Sequence, residues 1–240
     1  MTRSQQRLIY LISAACLAFF MCYHVLQYTR LQETSKSVHI DIPTIVIDAG
    51  HGGEDGGATS VTGKLESEIN LSISKKLEQI VAFCGMMPCM IRSKDASVST
   101  EGDTIRERKV SDLKNRVETI NHIADAIVVS IHQNYFSEEK YAGAQIFYAP
   151  TPGSKDLAAL TQKTFREYID PKNRRESKAA SSVYLMNNIR CTGILVECGF
   201  ISNAAEALIL EDTGYQRKIA FTITSALTQY IEERNNSNEV

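Results

Sequence analysis

The sequence predicts an α/β fold, in which helices cover both faces of a mostly parallel, twisted β-sheet, preceded by one N-terminal transmembrane or signal helix. Short runs rich in valine and isoleucine alternate with longer segments whose apolar residues recur at helical spacing, a pattern typical of a parallel sheet. Hydrophobic residues make up 43% of the 240 residues and charged residues 22%, which allows a packed core and excludes wholesale disorder. Near the N-terminus, residues 8–29 carry no charge when His24 is neutral.

The uncharged run 8–29 predicts a membrane-spanning helix. Its 22 residues form a helix of about 33 Å, long enough to cross the hydrocarbon core of a bilayer. Arg3 and Arg7 precede the run, so the positive-inside rule places the rest of the chain outside the cytoplasm. A cleaved signal peptide, and hence secretion, is the alternative, although no small-x-small cleavage site follows the run before Arg30. We expect an anchored protein on the outer face of the cytoplasmic membrane.

The chain divides into four predicted parts. These are a membrane anchor or signal segment at 1–29, a polar linker at 30–42, one globular domain at 43–234 and a tail at 235–240. No internal repeat or low-complexity tract interrupts the domain. The formal net charge is −2, which gives no electrostatic reason to expect a nucleic acid as a partner.

The first half of the domain contains two predicted strands, each followed by a helix. Thr44–Ile47 is apolar and β-branched, which favours a strand, and Cys89–Ile91 is a shorter strand candidate. The first helix begins at Glu66, and the second begins at a cap that is either Ser111 or Asp112. Apolar residues at helical spacing indicate these helices: Ile69, Ile73, Leu77, Ile80 and Val81 in the first, and Leu113, Val117 and Ile120 in the second.

The second half of the domain adds three strands and three helices. Ala126–Ile131, Ala144–Tyr148 and Gly193–Val196 are apolar runs of strand length. Helical spacing predicts the helices at about 155–169, from Asn203, and at about 215–233.

The cysteines do not indicate a disulfide framework. Cys16 and Cys22 lie in the apolar run, and the spacing of the other four does not match a zinc finger. Cys84 and Cys89 are close enough in sequence to form a disulfide, or all four are reduced and buried as small apolar side chains. The sequence leaves both alternatives open.

Three of the predicted strands lead directly to an ionisable residue: His51, His132 and Glu197. The carboxyl ends of strands in an open α/β sheet form the edge where ligands bind, so these residues are expected to converge. Zinc hydrolysis needs three ligands, usually histidine and carboxylate, and a further carboxylate that moves protons. A single histidine or glutamate at such a position is more often structural, but three at equivalent positions favour a metal site that lacks only one acidic ligand.

Four motifs with ionisable residues follow one another along the chain. They are DAGHGGEDGGA at Asp48–Ala58, ESEINL at Glu66–Leu71, SIHQN at Ser130–Asn134 and LVECGFISN at Leu195–Asn203. In sequence and order they resemble the motifs of the amidase-3 family, the zinc-dependent N-acetylmuramoyl-L-alanine amidases. The resemblance extends over about residues 43–233, essentially the whole predicted domain.

The resemblance implies a site and a reaction. His51, Glu66 and His132 would hold one zinc ion per chain, and Glu197 would be the catalytic general base and acid. The reaction implied is hydrolysis of the amide bond between the lactyl group of N-acetylmuramic acid and L-alanine of the stem peptide, with peptidoglycan as substrate. Two positions depart from the family, because Gln133 often corresponds to a small residue and Ser67 often to lysine. Both are expected to affect only the rim of the substrate groove.

The short chain is similar in architecture to the germination-specific sporulation amidases of the family, which take part in muramic-δ-lactam formation in the spore cortex. It has an anchor and a minimal domain, without the wall-binding repeats or the inserted inhibitory helix of other members. A vegetative cell-wall amidase (an autolysin) and a non-catalytic wall-binding relative remain the alternatives. The expected partners are peptidoglycan and, through the N-terminal helix, the membrane. The sequence does not indicate a particular activating protein.

Overall fold

The computed structural model of the protein describes residues 3–4, 18–26 and 42–238. Of residue 238 the backbone alone is described. Two compact units make up the chain, Met1–Asp41 and Ile42–Val240. In the first unit, residues 18–26 are helical with exposed side chains. The rest of the predicted membrane segment 8–29, and the predicted linker up to residue 41, lie outside the described residues. Within the described ranges, no helix is both long enough and apolar enough to cross a membrane.

Six strands form one sheet in the described part of the second unit. Across the sheet their order is β2-β1-β3-β6-β4-β5, and every neighbouring pair is parallel except β4 with β6. The mostly parallel sheet predicted from the sequence is therefore confirmed, with one antiparallel pair. The strands are β1 Thr44–Ala49, β2 Met87–Met90, β3 Ala126–Asn134, β4 Gln145–Tyr148, β5 Lys178–Ala179 and β6 Thr192–Phe200.

Six helices of the second unit cover both faces of this sheet. They are α1 Glu66–Phe83, α2 Ile105–Asn121, α3 Ser154–Tyr168, α4 Tyr184–Asn188, α5 Ala204–Glu211 and α6 Thr213–Asn238. The last helix extends beyond residue 233, so the predicted tail begins inside it, and residues 239–240 lie outside the described part.

Side chains of the central strands alternate between two cores. Ile45 and Ile47 of β1 pack in the core that contains α1, α3 and α6, whereas Val46 between them packs in the core that contains α2 and α4. All three side chains are fully buried. Because helices cover both faces of the central strands, these strands are continuous apolar runs in the sequence.

The start of α2 differs from the prediction. Thr104, and not Ser111 or Asp112, caps the helix: its hydroxyl accepts the backbone N–H of Glu107, whose carboxylate accepts the backbone N–H of Thr104. This capping box is visible in the sequence, but the first turns of α2 are mostly charged and carry little apolar periodicity. Asp112 lies inside the helix, where it accepts the backbone N–H of Val98 at 2.7 Å.

Two short elements were not predicted, β5 with two residues and α4 with five. Such short segments do not complete the periodicity on which the prediction depends. Strands β3 and β6 also extend past residues 131 and 196, so His132 and Glu197 lie within strands. Cys84 and Cys89 are free thiols, which favours the reduced alternative. The expected burial of all four cysteines is wrong, because Cys198 is buried whereas Cys89 and Cys191 are half-buried and Cys84 is exposed.

Candidate metal centre

Three side chains meet at the carboxyl edge of the sheet. His51 follows β1, Glu66 is the first residue of α1, and His132 lies near the end of β3. One possible ligand atom from each residue lies within 4.8 Å of the other two. The structure therefore brings together the three residues that the sequence singled out as a metal-ligand set.

The carboxylate of Glu66 lies between the two imidazoles. Its Oε2 is 3.2 Å from Nε2 of His51, and its Oε1 is 3.0 Å from Nδ1 of His132. The backbone N–H of Ala58 donates to Oε2 at 3.1 Å, and the backbone N–H of Gln133 donates to Oε1 at 3.2 Å. These amides come from two different segments, so the buried carboxylate is held in one orientation.

Two glycines allow the ligands to approach so closely. A Cβ atom on Gly50 would lie 2.2 Å from the ring of His132, and one on Gly57 would lie 2.6 Å from Oε2 of Glu66. His51 itself has a positive φ of 61°, a conformation that is uncommon for a residue with a side chain. Two glycines of the first motif, Gly50 and Gly57, are therefore explained by packing against the proposed ligands.

The protonation preferences of the cluster are those of a cation site. Burial disfavours a charged His51, but its hydrogen bonds to Asp55 and Glu66 outweigh that effect and raise the pKa of His51 to about 9. Burial likewise disfavours a charged Glu66, yet the two histidines hold the pKa of that carboxyl well below its usual range. The carboxylate of Glu66 is thus negative at neutral pH, and it faces the ring of His51, which favours positive charge.

Asp55 is a site residue that the sequence analysis did not single out. Its Oδ2 lies 2.9 Å from Nδ1 of His51, the ring nitrogen that faces away from Glu66. Lys109 of α2 contacts the other carboxylate oxygen at 2.7 Å. A carboxylate on the second nitrogen of a ligating histidine fixes the tautomer and the ring orientation. The sequence signal for this role is the position of Asp55, four residues after His51 within the first motif.

Glu197 lies beside the cluster on β6, where it pairs in register with His132 of β3. Its Oε2 atom is buried and has no hydrogen-bond partner among the described residues. Burial raises the pKa of Glu197 to about 7, although the nearby His132 acts in the opposite direction. An ionisable oxygen left without a partner in a buried site is available to a substrate or a water molecule.

The donor set fits a catalytic zinc ion. Two imidazole nitrogens and one carboxylate oxygen are a known three-ligand set that leaves a fourth position open, and Glu197 is a carboxylate outside that set. A groove of about 500 Å³ opens over these residues. His51, His132 and Glu197 line its base, and Ile105 and Arg108 of α2 contribute to its wall.

The chain is similar in sequence to known amidases. The family model of the N-acetylmuramoyl-L-alanine amidases (amidase-3) matches residues 45–229. A germination-specific N-acetylmuramoyl-L-alanine amidase of Bacillus subtilis is 34% identical over 198 residues, which are 81% of this chain and 82% of the relative. The N-acetylmuramoyl-L-alanine amidase LytC of the same organism is 30% identical over 193 residues, 78% of this chain and 35% of the relative.

A solved structure has the same fold. The CwlD amidase of Clostridioides difficile, determined in complex with the GerS lipoprotein, superposes with a TM-score of 0.76 and 37% sequence identity. The match covers 79% of this chain and 98% of the amidase chain.

Proposed function

Because this chain belongs to the N-acetylmuramoyl-L-alanine amidase family of hydrolases, we propose that it cleaves peptidoglycan with one zinc ion held by His51, Glu66 and His132. The bond cleaved joins the lactyl group of N-acetylmuramic acid to L-alanine of the stem peptide. Zinc dependence is a general property of the family. The observation that carries the proposal is a two-histidine, one-glutamate cluster with an unpartnered carboxylate beside it.

The catalytic step assigned to the protein is proton transfer by Glu197. A bound zinc ion supplies Lewis acidity, which polarises the amide carbonyl and lowers the pKa of a water molecule. Glu197 accepts a proton from the attacking water at Oε2 and returns it to the nitrogen of the leaving L-alanine. Its raised pKa of about 7 suits a group that both accepts and donates a proton near neutral pH.

The proposal is tested with purified peptidoglycan. Full-length protein loaded with zinc should release peptides that begin with L-alanine and leave intact glycan strands, as identified by mass spectrometry of the products. Release of shortened stem peptides, with the lactyl amide intact, would instead indicate a metallo-carboxypeptidase. A protein that binds peptidoglycan and releases nothing would support the non-catalytic alternative.

A role in the spore cortex is the narrower proposal. Similarity to a germination-specific amidase over most of both chains supports it, whereas the similarity to the amidase LytC covers only 35% of that relative. A vegetative wall amidase is the second candidate role. Deletion of the gene in a sporulating host should remove muramic-δ-lactam from the cortex if the first role is correct. Unchanged cortex muropeptides together with altered vegetative wall turnover would support the second.

The N-terminal segment is proposed to anchor the protein outside the cytoplasm. The uncharged run 8–29, preceded by Arg3 and Arg7, supports this topology. In the described part of the run, Phe19 and Phe20 are exposed on a helix, as lipid-facing side chains would be. Protease added to spheroplasts should digest the catalytic unit, and N-terminal sequencing separates a retained anchor from a cleaved signal.

A lipoprotein partner is a further hypothesis, supported by the complex of the C. difficile amidase with GerS.

A further inference from the structure

Two buried arginines contact the backbone that leads into the candidate metal centre. Arg92, just after β2, is 4% exposed, and Arg116 of α2 is 2% exposed. We propose that these two residues, the arginine clamp, are positioning residues that hold the backbone of the His51 loop in its metal-binding conformation. The proposal rests on the proposed role of His51 as a zinc ligand. It assigns a function to two side chains outside the proposed ligand set, of which Arg116 also lines the groove.

Arg92 donates its hydrogen bonds to backbone carbonyls. Its Nε donates to the carbonyl of Ala49 at 2.8 Å, and its Nη2 donates to the carbonyl of Gly50 at 3.0 Å. The same Nη2 donates to the carbonyl of Ser67 at 2.9 Å, and Nη1 donates to that of Lys94 at 3.1 Å. Arg92 therefore connects the residues before His51 to the first turn of α1, which begins with the ligand Glu66.

Arg116 completes the clamp from the other side. Its Nη1 donates to the carbonyl of Ala49 at 3.0 Å, and its Nη2 donates to the carbonyl of His51 itself at 2.8 Å. Its remaining contacts are with carboxylates, Asp48 at 2.5 Å and Asp112 at 2.6 Å. Together the two guanidinium groups occupy the carbonyl oxygens of three consecutive residues, 49, 50 and 51.

The conformation of the loop explains why donors are needed there. Strand β1 ends at Ala49, and the positive φ of His51 turns the chain out of the sheet, so these carbonyls no longer have strand partners. A buried carbonyl without a donor is unfavourable. A guanidinium group carries five N–H donors in a rigid planar arrangement, and it can hold several carbonyls at fixed relative positions. A lysine ammonium retains the charge but lacks that planar arrangement.

Two aspartates balance the positive charges of the arginine clamp. Asp48, 1% exposed, and Asp112 lie against Arg116, so two arginines and two aspartates form a cluster with no formal net charge. The clamp therefore does not place an excess of positive charge beside a site that must attract a cation. Burying charges generally stabilises a fold less than apolar packing does, which favours a role in fixing geometry.

The experiment compares Arg92→Lys and Arg116→Lys with a core variant of equal thermal stability. Ile120→Ala is the matched control, because Ile120 lies one turn after Arg116 on α2, is fully buried, and packs in the core away from the loop. Ile120→Val replaces it if the alanine variant is less stable than the lysine variants. Each full-length protein is purified in detergent. Zinc affinity is measured by competition with a chromophoric chelator, and amide hydrogen exchange of residues 50–55 is measured in the metal-free proteins.

We expect zinc affinity to fall about 10–100-fold in both lysine variants, with faster exchange of the loop amides in the metal-free state. The Ile120 control should retain wild-type affinity and loop exchange despite the same loss of melting temperature. Lysine variants with the affinity and exchange of the control would overturn the clamp. Failure of the wild-type protein to bind zinc would instead contradict the proposed function, while the exchange data would still decide whether the arginines hold the loop.

Discussion

His132 and Glu197 occupy paired positions on the neighbouring parallel strands β3 and β6. Paired residues of adjacent strands project from the same face of a sheet, so a proposed zinc ligand and the proposed general base lie side by side. A shift of the pairing by one residue would move Glu197 to the opposite face. The distance between ligand and base is therefore set by sheet register.

Removal of either histidine ligand should abolish metal binding. His51→Ala and His132→Ala each leave two ligands in a site that needs three, so the affinity should fall by orders of magnitude. Elemental analysis of dialysed protein should find about one zinc per wild-type chain and almost none in the variants. His122→Ala is the matched control, because His122 lies at the end of α2 and its ring contacts only the carbonyl of Glu118 among the described hydrogen bonds. Full zinc occupancy in both ligand variants would show that the ligand assignment is wrong.

Glu197→Gln should separate catalysis from metal binding. The amide preserves the shape of the side chain but cannot accept the proton, and general acid–base assistance contributes about 100- to 10,000-fold to the rate. Because Glu197 is proposed to serve both half-reactions, the loss in kcat should approach the upper end of that range. Zinc content and melting temperature should be close to wild type, because Oε2 of Glu197 has no hydrogen bond to lose among the described residues.

The control for this variant is Glu68→Gln, an exposed glutamate on α1, which should retain normal turnover. Near-normal turnover in folded, zinc-loaded Glu197→Gln would contradict the catalytic assignment. Activity that instead declines in step with the folded fraction would indicate a structural role for Glu197.

Asp55→Asn should weaken zinc binding without removing a ligand. The aspartate accepts the hydrogen bond of His51 Nδ1 at 2.9 Å, and an asparagine can present its amide group instead and favour the wrong tautomer. Loss of such a partner typically lowers metal affinity or activity by about 10–100-fold. Competition titration with a chelator measures the change. Glu54→Gln is the control, because Glu54 is the neighbouring residue, is exposed and pairs with Arg108. This variant should have wild-type zinc affinity. Equal zinc affinities of Asp55→Asn and Glu54→Gln would refute the orienting role of Asp55.

The buried Asp48 should make stability depend on pH in the acid range. Burial opposes its charge, but Arg116 and the hydroxyl of Ser130 outweigh that effect and hold the pKa of Asp48 below its usual value. A lowered pKa in the folded state means that the charged carboxylate stabilises the fold above pH 4 or so, and that this contribution is lost as the pH falls through the folded pKa. Asp48→Asn leaves Arg116 with one fewer carboxylate and should lower the free energy of unfolding at pH 7 by about 3–5 kcal/mol.

Urea unfolding between pH 7 and pH 3 measures this effect. The difference between wild type and Asp48→Asn should shrink as the pH falls, because the wild-type carboxyl becomes protonated. Asp103→Asn, at an exposed position before α2, should show no comparable difference at any pH. A difference at Asp48 that is constant from pH 7 to pH 3 would contradict the assignment of charge to this buried residue.

Sequence pattern predicted the sheet architecture and the three residues of the proposed ligand set, which the structure brings together, because both depend on local signals. Apolar runs of strand length predicted the central strands. The ionisable residues that follow three of these runs, His51, His132 and Glu197, predicted a site at one edge of the sheet. The motif resemblance added Glu66. Thr104 and Glu107 form a capping box at the start of α2, but the charged first turn of this helix lacks the apolar periodicity that predicts a helix.

The residues that hold the candidate site in place act through contacts between segments that are distant in the chain. Nothing local distinguishes Arg92 and Arg116 from the other basic residues, and yet both are buried against the carbonyls of residues 49–51. Their burial follows from how β2 and α2 pack against the end of β1, and the pairing of His132 with Glu197 follows from the register of two strands far apart in sequence. Residue type and spacing are local properties, whereas burial and register arise only when the whole sheet is assembled, and for that reason the tertiary structure alone revealed them.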